Sequence, residues 1–176
     1  MVKVTSQTAN ELDALDWQIL DELQQDGRIT FTELGRRVGL STPAVAERVR
    51  QLEAAGVILG YRAQVDLARI GRPILAIVRM NVVGDVLARV TTTVREMPEV
   101  LECYRGTGAD SFTAKVAVAS IEDLEQLIDQ LTPFGTTSTS IVLSMPVPNR
   151  ALAPPRSMAV KTRSSAAPRK RARTPR

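Results

Sequence analysis

Residues 29–61 read ITFTELGRRVGLSTPAVAERVRQLEAAGVILGY and contain the signals of two short helices joined by a tight turn. Thr30 and Glu33 stand at the spacing of a capping box, in which a hydroxyl caps the helix and the glutamate reaches back to the cap residue. Gly39 suits the residue that ends a helix, and Ser41 suits the N-cap of the next one. This arrangement predicts a helix-turn-helix, whose second helix enters the major groove of DNA.

A preceding helix and a following hairpin complete the predicted N-terminal domain, residues 11–65. Apolar residues recur at helical spacing from about residue 14 to residue 25, with Asp13 as the N-cap. The third helix carries a similar buried stripe, made of Val45, Val49 and Leu52. Residues 57–59 and 63–65 could pair as the two strands of a wing. The domain is therefore predicted to be a winged helix-turn-helix.

The outward face of the third helix carries most of the residues expected to contact DNA. Arginine pairs with guanine edges or clamps phosphates, and hydroxyls and free amides at a helix start bind phosphate. The candidates are Arg36, Arg37, Ser41, Thr42, Ala44, Glu47, Arg48 and Arg50. Among them, Arg48 and Arg50 are favoured for DNA contact, whereas Arg36 and Arg37 could equally serve the helix dipole. The alternative reading is a solvated helix face with Arg–Glu pairs.

Charge is distributed unevenly along the chain of 176 residues, whose net charge is +4. Residues 151–176 contain eight Lys and Arg residues and no acidic residue, and the remainder has 15 basic and 19 acidic residues. Within that remainder, residues 27–62 have a net charge of +3, whereas residues 73–149 have −4. Positive charge therefore concentrates at the predicted DNA-reading domain and in the tail, where phosphates would bind.

Composition excludes several kinds of catalytic and metal site. The chain has no histidine, which excludes Ser-His-Asp and Cys-His catalysis and every histidine-based metal site. Cys103 is the single cysteine and cannot form an internal disulfide. No apolar run approaches the roughly 20 residues that span a bilayer, and the first residues lack a signal-peptide core. We expect a cytoplasmic, nucleoid-associated protein that has no cofactor or metal site and is not an enzyme.

Beyond a linker at residues 66–73, the periodicity predicts strands and helices in the order β-α-β-β-α-β over residues 74–146. This order is that of a ferredoxin-like α+β sandwich, in which both helices cover one face of the sheet. The other face is expected to expose apolar residues such as Val78 and Val116 and to be buried against a partner sheet. Residues 147–176 lack an apolar stripe and are predicted to form a disordered basic tail.

An ordered set of N-terminal motifs carries a family resemblance. The set comprises Leu12–Asp16, Ile19-Leu20, Asp26-Gly27-Arg28, Glu33-Leu34, Val38–Ser41, Arg48-Val49, Leu52-Glu53, Gly56-Val57-Ile58 and Gly60-Tyr61. It resembles the signature of the Lrp/AsnC, or feast/famine, transcription regulators, and the β-α-β-β-α-β unit resembles their ligand-sensing domain. The resemblance implies a homodimer formed by sheet-to-sheet packing of the sensing domains, which often assembles into tetramers or octamers. It also implies an amino acid, or a related small metabolite, as an effector bound between dimers.

The same resemblance implies an effector site at the turn between the second and third sensing strands. In the family this turn tends to read Gly-x-x-Asp followed by an aromatic residue. Here Gly108 and Phe112 match, but Ser111 stands where the family usually has Asp, and Asp110 comes one residue earlier. The implied site residues are Gly108, Ala109, Asp110, Ser111, Thr137, Ser138 and Thr139. From the residues alone, a plain hairpin turn with an Asp that satisfies local amides is the alternative.

Residues and resemblance together favour a sequence-specific, DNA-binding transcription regulator that an amino acid modulates. The competing hypothesis is a nucleoid-type architectural protein with little sequence preference and no effector. The basic tail fits both: it could add non-specific affinity through counterion release, or it could be a solubilising extension. An enzyme is disfavoured, because no nucleophile–base pair or phosphate-binding loop is evident.

Overall fold

The computed structural model describes residues 12–154 and has five α-helices and four β-strands in that range. The helices are α1 (Ala14–Gln25), α2 (Phe31–Val38), α3 (Thr42–Ala54), α4 (Leu87–Glu96) and α5 (Ile121–Leu131). The strands are β1 (Ile74–Val82), β2 (Val100–Arg105), β3 (Phe112–Val118) and β4 (Gly135–Ile141). The described residues divide into a sheet unit, residues 63–148, and a helical unit that combines residues 12–62 with residues 149–154.

Side-chain caps explain where the helices of the helical unit begin. Asp13 and Asp16 form a reciprocal capping box at the start of α1. Thr30 caps α2 by accepting a hydrogen bond from the Glu33 amide at 3.2 Å. The predicted reciprocal bond is absent, because the Glu33 carboxylate instead accepts hydrogen bonds from two arginines one turn further along α2. Half of that capping box is therefore confirmed and half is wrong.

Two glycines shape the turn between α2 and α3. Gly39 has a φ of 73°, the left-handed conformation that glycine adopts without steric cost. Gly35 is buried inside α2, and a Cβ atom there would lie 2.6 Å from the Leu40 carbonyl oxygen. The backbone therefore doubles back at a distance that only glycine permits. Ser41 then caps α3, as predicted, by accepting a hydrogen bond from the Ala44 amide.

The predicted helical stripes form the core of this unit. Its buried side chains come from all three helices and are Ile19, Leu34, Val38, Val45, Val49 and Leu52. The two predicted wing strands are wrong, because residues 57–59 and 63–65 form no strand. Gly56 and Gly60 flank residues 57–59, and both have positive φ values, 69° and 144°, which β-strands do not adopt. A two-stranded hairpin with an exposed Leu59 would in any case be marginally stable alone.

The sheet unit has the predicted α+β order, in a four-stranded antiparallel sheet arranged β2-β3-β1-β4. Helices α4 and α5 cover one face, where apolar side chains from β1 and β3 meet those of both helices. Val78 and Val116 lie in this core and are fully buried, so their predicted place on the uncovered face is wrong. The opposite face instead carries Ile77 and Lys115, which are paired across β1 and β3.

The wrong face predicted for Val78 and Val116 is an error in the phase of side-chain alternation along each strand. Side chains alternate between the two faces, so an error of one residue moves a whole strand's pattern to the wrong side. The first five residues of β1, ILAIV, are apolar on both faces and give no phase signal; the phase is marked only in the second half, where Arg79 and Asn81 alternate with Met80 and Val82. Within residues 12–154, no helix has the length and apolar character needed to cross a membrane.

Candidate DNA interface and effector site

The first turn of α3 presents an exposed, polar surface. Ser41, Thr42 and Ala44 are all exposed there, and the unpaired amides of a helix start favour a bound phosphate. One and two turns further along, Glu47 and Arg50 are exposed and form an ion pair of 2.7 Å. This face therefore combines the unpaired amides of a helix start with an exposed arginine.

Arg48 has a different environment from Arg50. Its guanidinium lies 2.8 Å from the Asp13 carboxylate and 2.7 Å from the Asp16 carboxylate, and the side chain is only 31% exposed. Partial burial opposes ionisation of Asp13, yet hydrogen bonds from the Asp16 amide and Arg48 outweigh it and lower the pKa of that carboxyl. Arg48 thus joins α3 to the capping box of α1. Its predicted DNA contact stays a prediction.

Arg36 and Arg37 share one carboxylate. Glu33 accepts two hydrogen bonds from Arg36, at 2.7 and 2.8 Å, and one from Arg37 at 2.8 Å. These bonds, that from Arg36 first, lower the pKa of Glu33 to about 2. Arg37 also reaches Glu22 on α1 at 2.7 Å, whereas Arg36 remains 72% exposed. Arg36 is therefore the more accessible of the two cations.

Sequence reasoning passed over two further cations of the helical unit. Arg28 precedes α2 and Arg62 follows the irregular segment after α3. Both are exposed, and neither makes an ion pair with any residue in the described range 12–154. Both lie outside helices, so the helical periodicity that identified the arginines of α2 and α3 could not identify them.

The predicted effector turn is the hairpin between β2 and β3. Gly108, Ala109 and Asp110 are exposed at its tip. The Gly106 amide donates a hydrogen bond to the Ser111 carbonyl at 3.0 Å and closes the turn. The Ser111 hydroxyl accepts a hydrogen bond from the Val82 amide at 3.3 Å, which ties the hairpin to the end of β1. Ser111 thus has a structural contact where an aspartate was expected from the resemblance.

Strand register brings β4 to the same end of the sheet. Met80 of β1 faces Phe112 on one side and Thr137 on the other. Thr137 and Thr139 therefore lie on the helix-covered side, whereas Ser138 lies on the opposite side and contacts Arg79 at 3.3 Å. The structure places the hairpin and β4 two strand spacings apart, about 10 Å. It splits the three predicted β4 residues between two faces.

A cavity of about 280 Å³ lies at the other end of the sheet. Its lining comes from residues 70–72, Glu99, the end of β3 and one side of α5. None of the predicted effector residues lines this cavity. Within the described residues, no group of three or more acidic or cysteine side chains is arranged to hold a metal ion.

The geometry defines a class of protein: one with a helix-turn-helix unit and a second, α+β unit. Comparison with known families agrees on both halves. Residues 12–53 match the AsnC-type helix-turn-helix domain, and residues 75–152 match the Lrp/AsnC ligand-binding domain. The chain belongs to the Lrp/AsnC family of transcription regulators. The predicted family, the helix-turn-helix and the α+β fold are thereby confirmed.

Individual relatives extend the similarity over most of the chain. The HTH-type transcriptional regulator LrpC of Bacillus subtilis is 37% identical over 134 residues, which cover 76% of this chain and 93% of LrpC. The leucine-responsive regulatory protein of Escherichia coli strain K12 is 34% identical over 150 residues, covering 81% of this chain and 92% of that protein.

Solved structures show the same fold. The structure of Bacillus subtilis LrpC has a TM-score of 0.75 at 35% identity, covering 80% of this chain and 99% of that one. A transcriptional regulator of Neisseria meningitidis, solved as a complex with L-Met, has a TM-score of 0.76 at 28% identity and covers 80% of this chain and 96% of its own.

Proposed function

We propose that this transcription regulator reads operator DNA with the exposed face of α3 and that an amino acid bound to the sheet unit changes its affinity for DNA. The observation that carries the proposal is the exposed surface formed by the start of α3 and the Glu47–Arg50 pair. Helix start and arginine together provide a phosphate contact and a base-reading side chain on one element.

The predicted DNA-contact residues fall into two groups by accessibility: those exposed enough to contact DNA and those held in ion pairs within the helical unit. Ser41, Thr42 and Ala44 contact phosphate at the helix start, while Glu47 and Arg50 face base edges. Arg50 can exchange Glu47 for a guanine edge, because an exposed ion pair contributes only about 0–1 kcal/mol and a bidentate guanine contact about 1–3 kcal/mol. Arg36 adds a phosphate contact. Arg37 and Arg48 act mainly by holding α2 and α3 against α1.

The proposed effector is a zwitterionic amino acid at the hairpin of residues 106–111. Backbone amides of a glycine-containing turn bind a carboxylate, and the exposed Asp110 carboxylate binds the ammonium group. Thr137, on the helix-covered face at the same end of the sheet, contributes a hydroxyl with Thr139 on the same face, whereas Ser138 lies on the opposite face. The L-Met complex of the Neisseria meningitidis regulator supports an amino acid as the class of ligand.

Assembly is the second part of the effector proposal. The hairpin lies at an exposed edge and has few protein atoms around its tip. A second copy therefore completes the site, and the effector binds between dimers in a tetramer or octamer. Linked DNA-reading heads in such an assembly raise the effective concentration at neighbouring operators without any new contact.

A gel-shift titration with the DNA upstream of the protein's own gene tests the regulator, with and without each of the twenty amino acids. A discrete shifted complex is expected, with at least a thousandfold preference over unrelated DNA at a stated salt concentration and a change in affinity with one or a few amino acids. Absence of any preferred fragment in a genome-wide selection contradicts it.

The eight positive charges of residues 155–176 favour one alternative, an architectural protein of the nucleoid. Such a protein binds all duplexes with similar affinity and ignores amino acids. The ratio of operator to unrelated-DNA affinity separates the two functions, since the architectural protein gives a ratio near one.

A further inference from the structure

Most of the arginines in residues 12–62 are already neutralised by carboxylates of the same unit. This range contains six arginines and eight acidic residues, a net charge of −2, and four of the six arginines form ion pairs there. The other two, Arg28 and Arg62, are exposed and form no ion pair with any residue between 12 and 154. Because phosphate contacts supply the affinity for DNA that is independent of sequence, these two cations are available to a duplex.

Tyr61 brings Arg28 and Arg62 to one place on the surface. A Cβ atom built on Gly27 would lie 3.4 Å from the Tyr61 ring, so the ring lies against the turn that precedes α2. Arg28 directly follows Gly27 in the sequence, and Arg62 directly follows Tyr61. Counted through this contact, with about 3.8 Å for each step between consecutive Cα atoms, the two arginine Cα atoms are at most about 16 Å apart. That separation does not exceed half a turn of duplex DNA, about 17 Å.

The same tyrosine places the two arginines beside the exposed face of α3. The Tyr61 hydroxyl donates a hydrogen bond of 3.0 Å to the carboxylate of Glu53, in the last turn of α3. Glu53 comes three residues after Arg50, and residues at this spacing are neighbours on the surface of a helix. The arginine pair therefore lies at the C-terminal end of the face that carries Arg50.

The length of α3 gives this pair a definite place in a complex with DNA. A helix of 13 residues is about 20 Å long, whereas the major groove is about 12 Å wide. A helix in the groove therefore has phosphates within reach beyond both of its ends. The free amides of residues 41–44 serve one end, and positive charge at the other end serves the phosphates across the groove.

We propose that Arg28 and Arg62 form a phosphate-binding site at the C-terminal end of α3 and that Tyr61 is the residue that positions them. The ligand of this site is the phosphate backbone of double-stranded DNA, whatever its base sequence. The inference rests on the proposed function, since it assumes that the exposed face of α3 contacts a duplex.

Full-length variants test the two arginines. Arg28→Gln, Arg62→Gln and the double variant are compared with the unchanged chain. Arg95→Gln is the matched control for net charge, because Arg95 is exposed on α4 and forms no ion pair within residues 12–154. Affinity is measured for upstream DNA and for an unrelated duplex of equal length, between about 50 and 200 mM salt.

Each single arginine variant is expected to reduce the slope of log affinity against log salt by about 0.9 per subunit on both duplexes. The double variant should reduce it by about 1.8, so that the loss of affinity over this fourfold range of salt becomes about 12-fold smaller. The ratio of operator affinity to unrelated-DNA affinity should stay as it is in the unchanged chain, because phosphate contacts carry no sequence information. Arg95→Gln should leave the slope unchanged.

Two substitutions of Tyr61 test its positioning role. Tyr61→Ala removes both the ring beside Gly27 and the hydrogen bond to Glu53, and it should reduce the salt slope towards that of the double arginine variant. Tyr61→Phe keeps the ring and should retain most of the slope. Tyr61→Ala should have no further effect in the double arginine variant, because the tyrosine then has no cation to position.

An unchanged slope in the double arginine variant overturns the site, and so does an equal reduction in Arg95→Gln, which would make the effect one of net charge. A Tyr61→Ala effect of the same size with and without the two arginines overturns the positioning role. Failure of the proposed function looks different: every protein binds the two duplexes equally. In that case the slopes on the unrelated duplex still decide whether Arg28 and Arg62 contact phosphates.

Discussion

The Arg48 guanidinium lies 2.7 Å from the Asp16 carboxylate and thereby connects the middle of α3 to the first turn of α1. Asp16 is also the residue whose carboxylate accepts the Asp13 amide in the capping box of α1. One carboxylate therefore both caps α1 and holds α3 beside it. The orientation of α3 thus depends on a contact between residues 32 positions apart in the sequence.

Loss of the Arg48–Asp16 contact should lower the stability of the folded protein and have a smaller effect on the DNA contacts proposed for α3. Arg48→Ala is expected to lower the free energy of unfolding by about 0.5–1 kcal/mol, the range for a partly exposed ion pair. Urea unfolding at pH 7 measures the change. Arg50→Ala is the matched control, because Arg50 contacts only Glu47 in its own helix. Equal stability of Arg48→Ala and the unchanged chain contradicts the positioning role.

Acid should weaken the helical unit through Glu33. The pKa of Glu33 is about 2 in the folded chain, below its ordinary value of 4.5, so the unfolded chain binds the proton more readily between these values. The stabilisation by ionised Glu33 is therefore complete above about pH 4.5 and is lost as the pH falls towards 2. Melting temperatures measured from pH 2 to pH 6 should fall less steeply in Glu33→Gln.

A second variant checks the cause of that pH dependence. Replacing Arg36 and Arg37 with Gln removes the donors and leaves the Glu33 carboxylate in place. It should flatten the same part of the profile. A Glu33→Gln profile that parallels the unchanged chain contradicts the assignment.

The helices and turns that depend on residues close together in the sequence were predicted from local signals. Capping side chains, left-handed glycines and helical stripes act over three or four residues, and they predicted α1 to α3 and the turn at Gly39. The partners of the arginines could not be predicted in the same way. Whether Arg48 faces DNA or Asp13 depends on how α1 packs on α3, which a helical wheel does not show.

The sheet unit shows the same limit. Its element order followed from alternating strands and helices, but the first half of β1 gave no phase, since Ile77 and Val78 are equally apolar and point to opposite faces. Only Arg79 and Asn81, in the second half, mark the face away from the helices. The close approach of the Leu40 carbonyl to Gly35 was not predicted either, because Leu40 lies on the far side of the turn. Long-range packing decides these features.

Gly35 and Gly39 should respond differently to substitution. Gly35→Ala places a Cβ atom against the Leu40 carbonyl and is expected to cost about 1–3 kcal/mol, because backbone must move. Gly39→Ala has open space around it and should cost about 1 kcal/mol from its left-handed backbone alone. Asn tolerates that conformation, so Gly39→Asn should recover part of the loss, whereas Gly35→Asn should not. Thermal unfolding of the four variants measures the costs, and equal costs at both sites contradict the prediction.

Arg50 should affect DNA binding without affecting folding. Arg50→Ala is expected to weaken operator binding by about 1–3 kcal/mol, the cost of a lost bidentate base contact, with urea unfolding unchanged. Arg50→Lys keeps the charge but loses the planar pair of donors, so it should restore binding to unrelated DNA more than binding to the operator. A loss of equal size on both duplexes for Arg50→Ala indicates a phosphate contact instead.

Asp110 provides the sharpest test of the effector site, because its carboxylate is exposed at a turn whose backbone is held by other residues. A ligand at a hundred times its dissociation constant stabilises the folded state by about 2.7 kcal/mol, which raises the melting temperature by several degrees. Asp110→Asn should abolish the rise caused by an amino acid such as methionine or leucine, because the amide cannot neutralise the ammonium group. Ser111→Ala is the control: it removes the hydrogen bond from the Val82 amide and lowers stability, yet it should leave the ligand-induced rise in place. An analogue of the same amino acid that lacks the ammonium group should bind the unchanged chain and Asp110→Asn with equal affinity. An undiminished rise with methionine or leucine in Asp110→Asn would place ammonium recognition elsewhere than at Asp110.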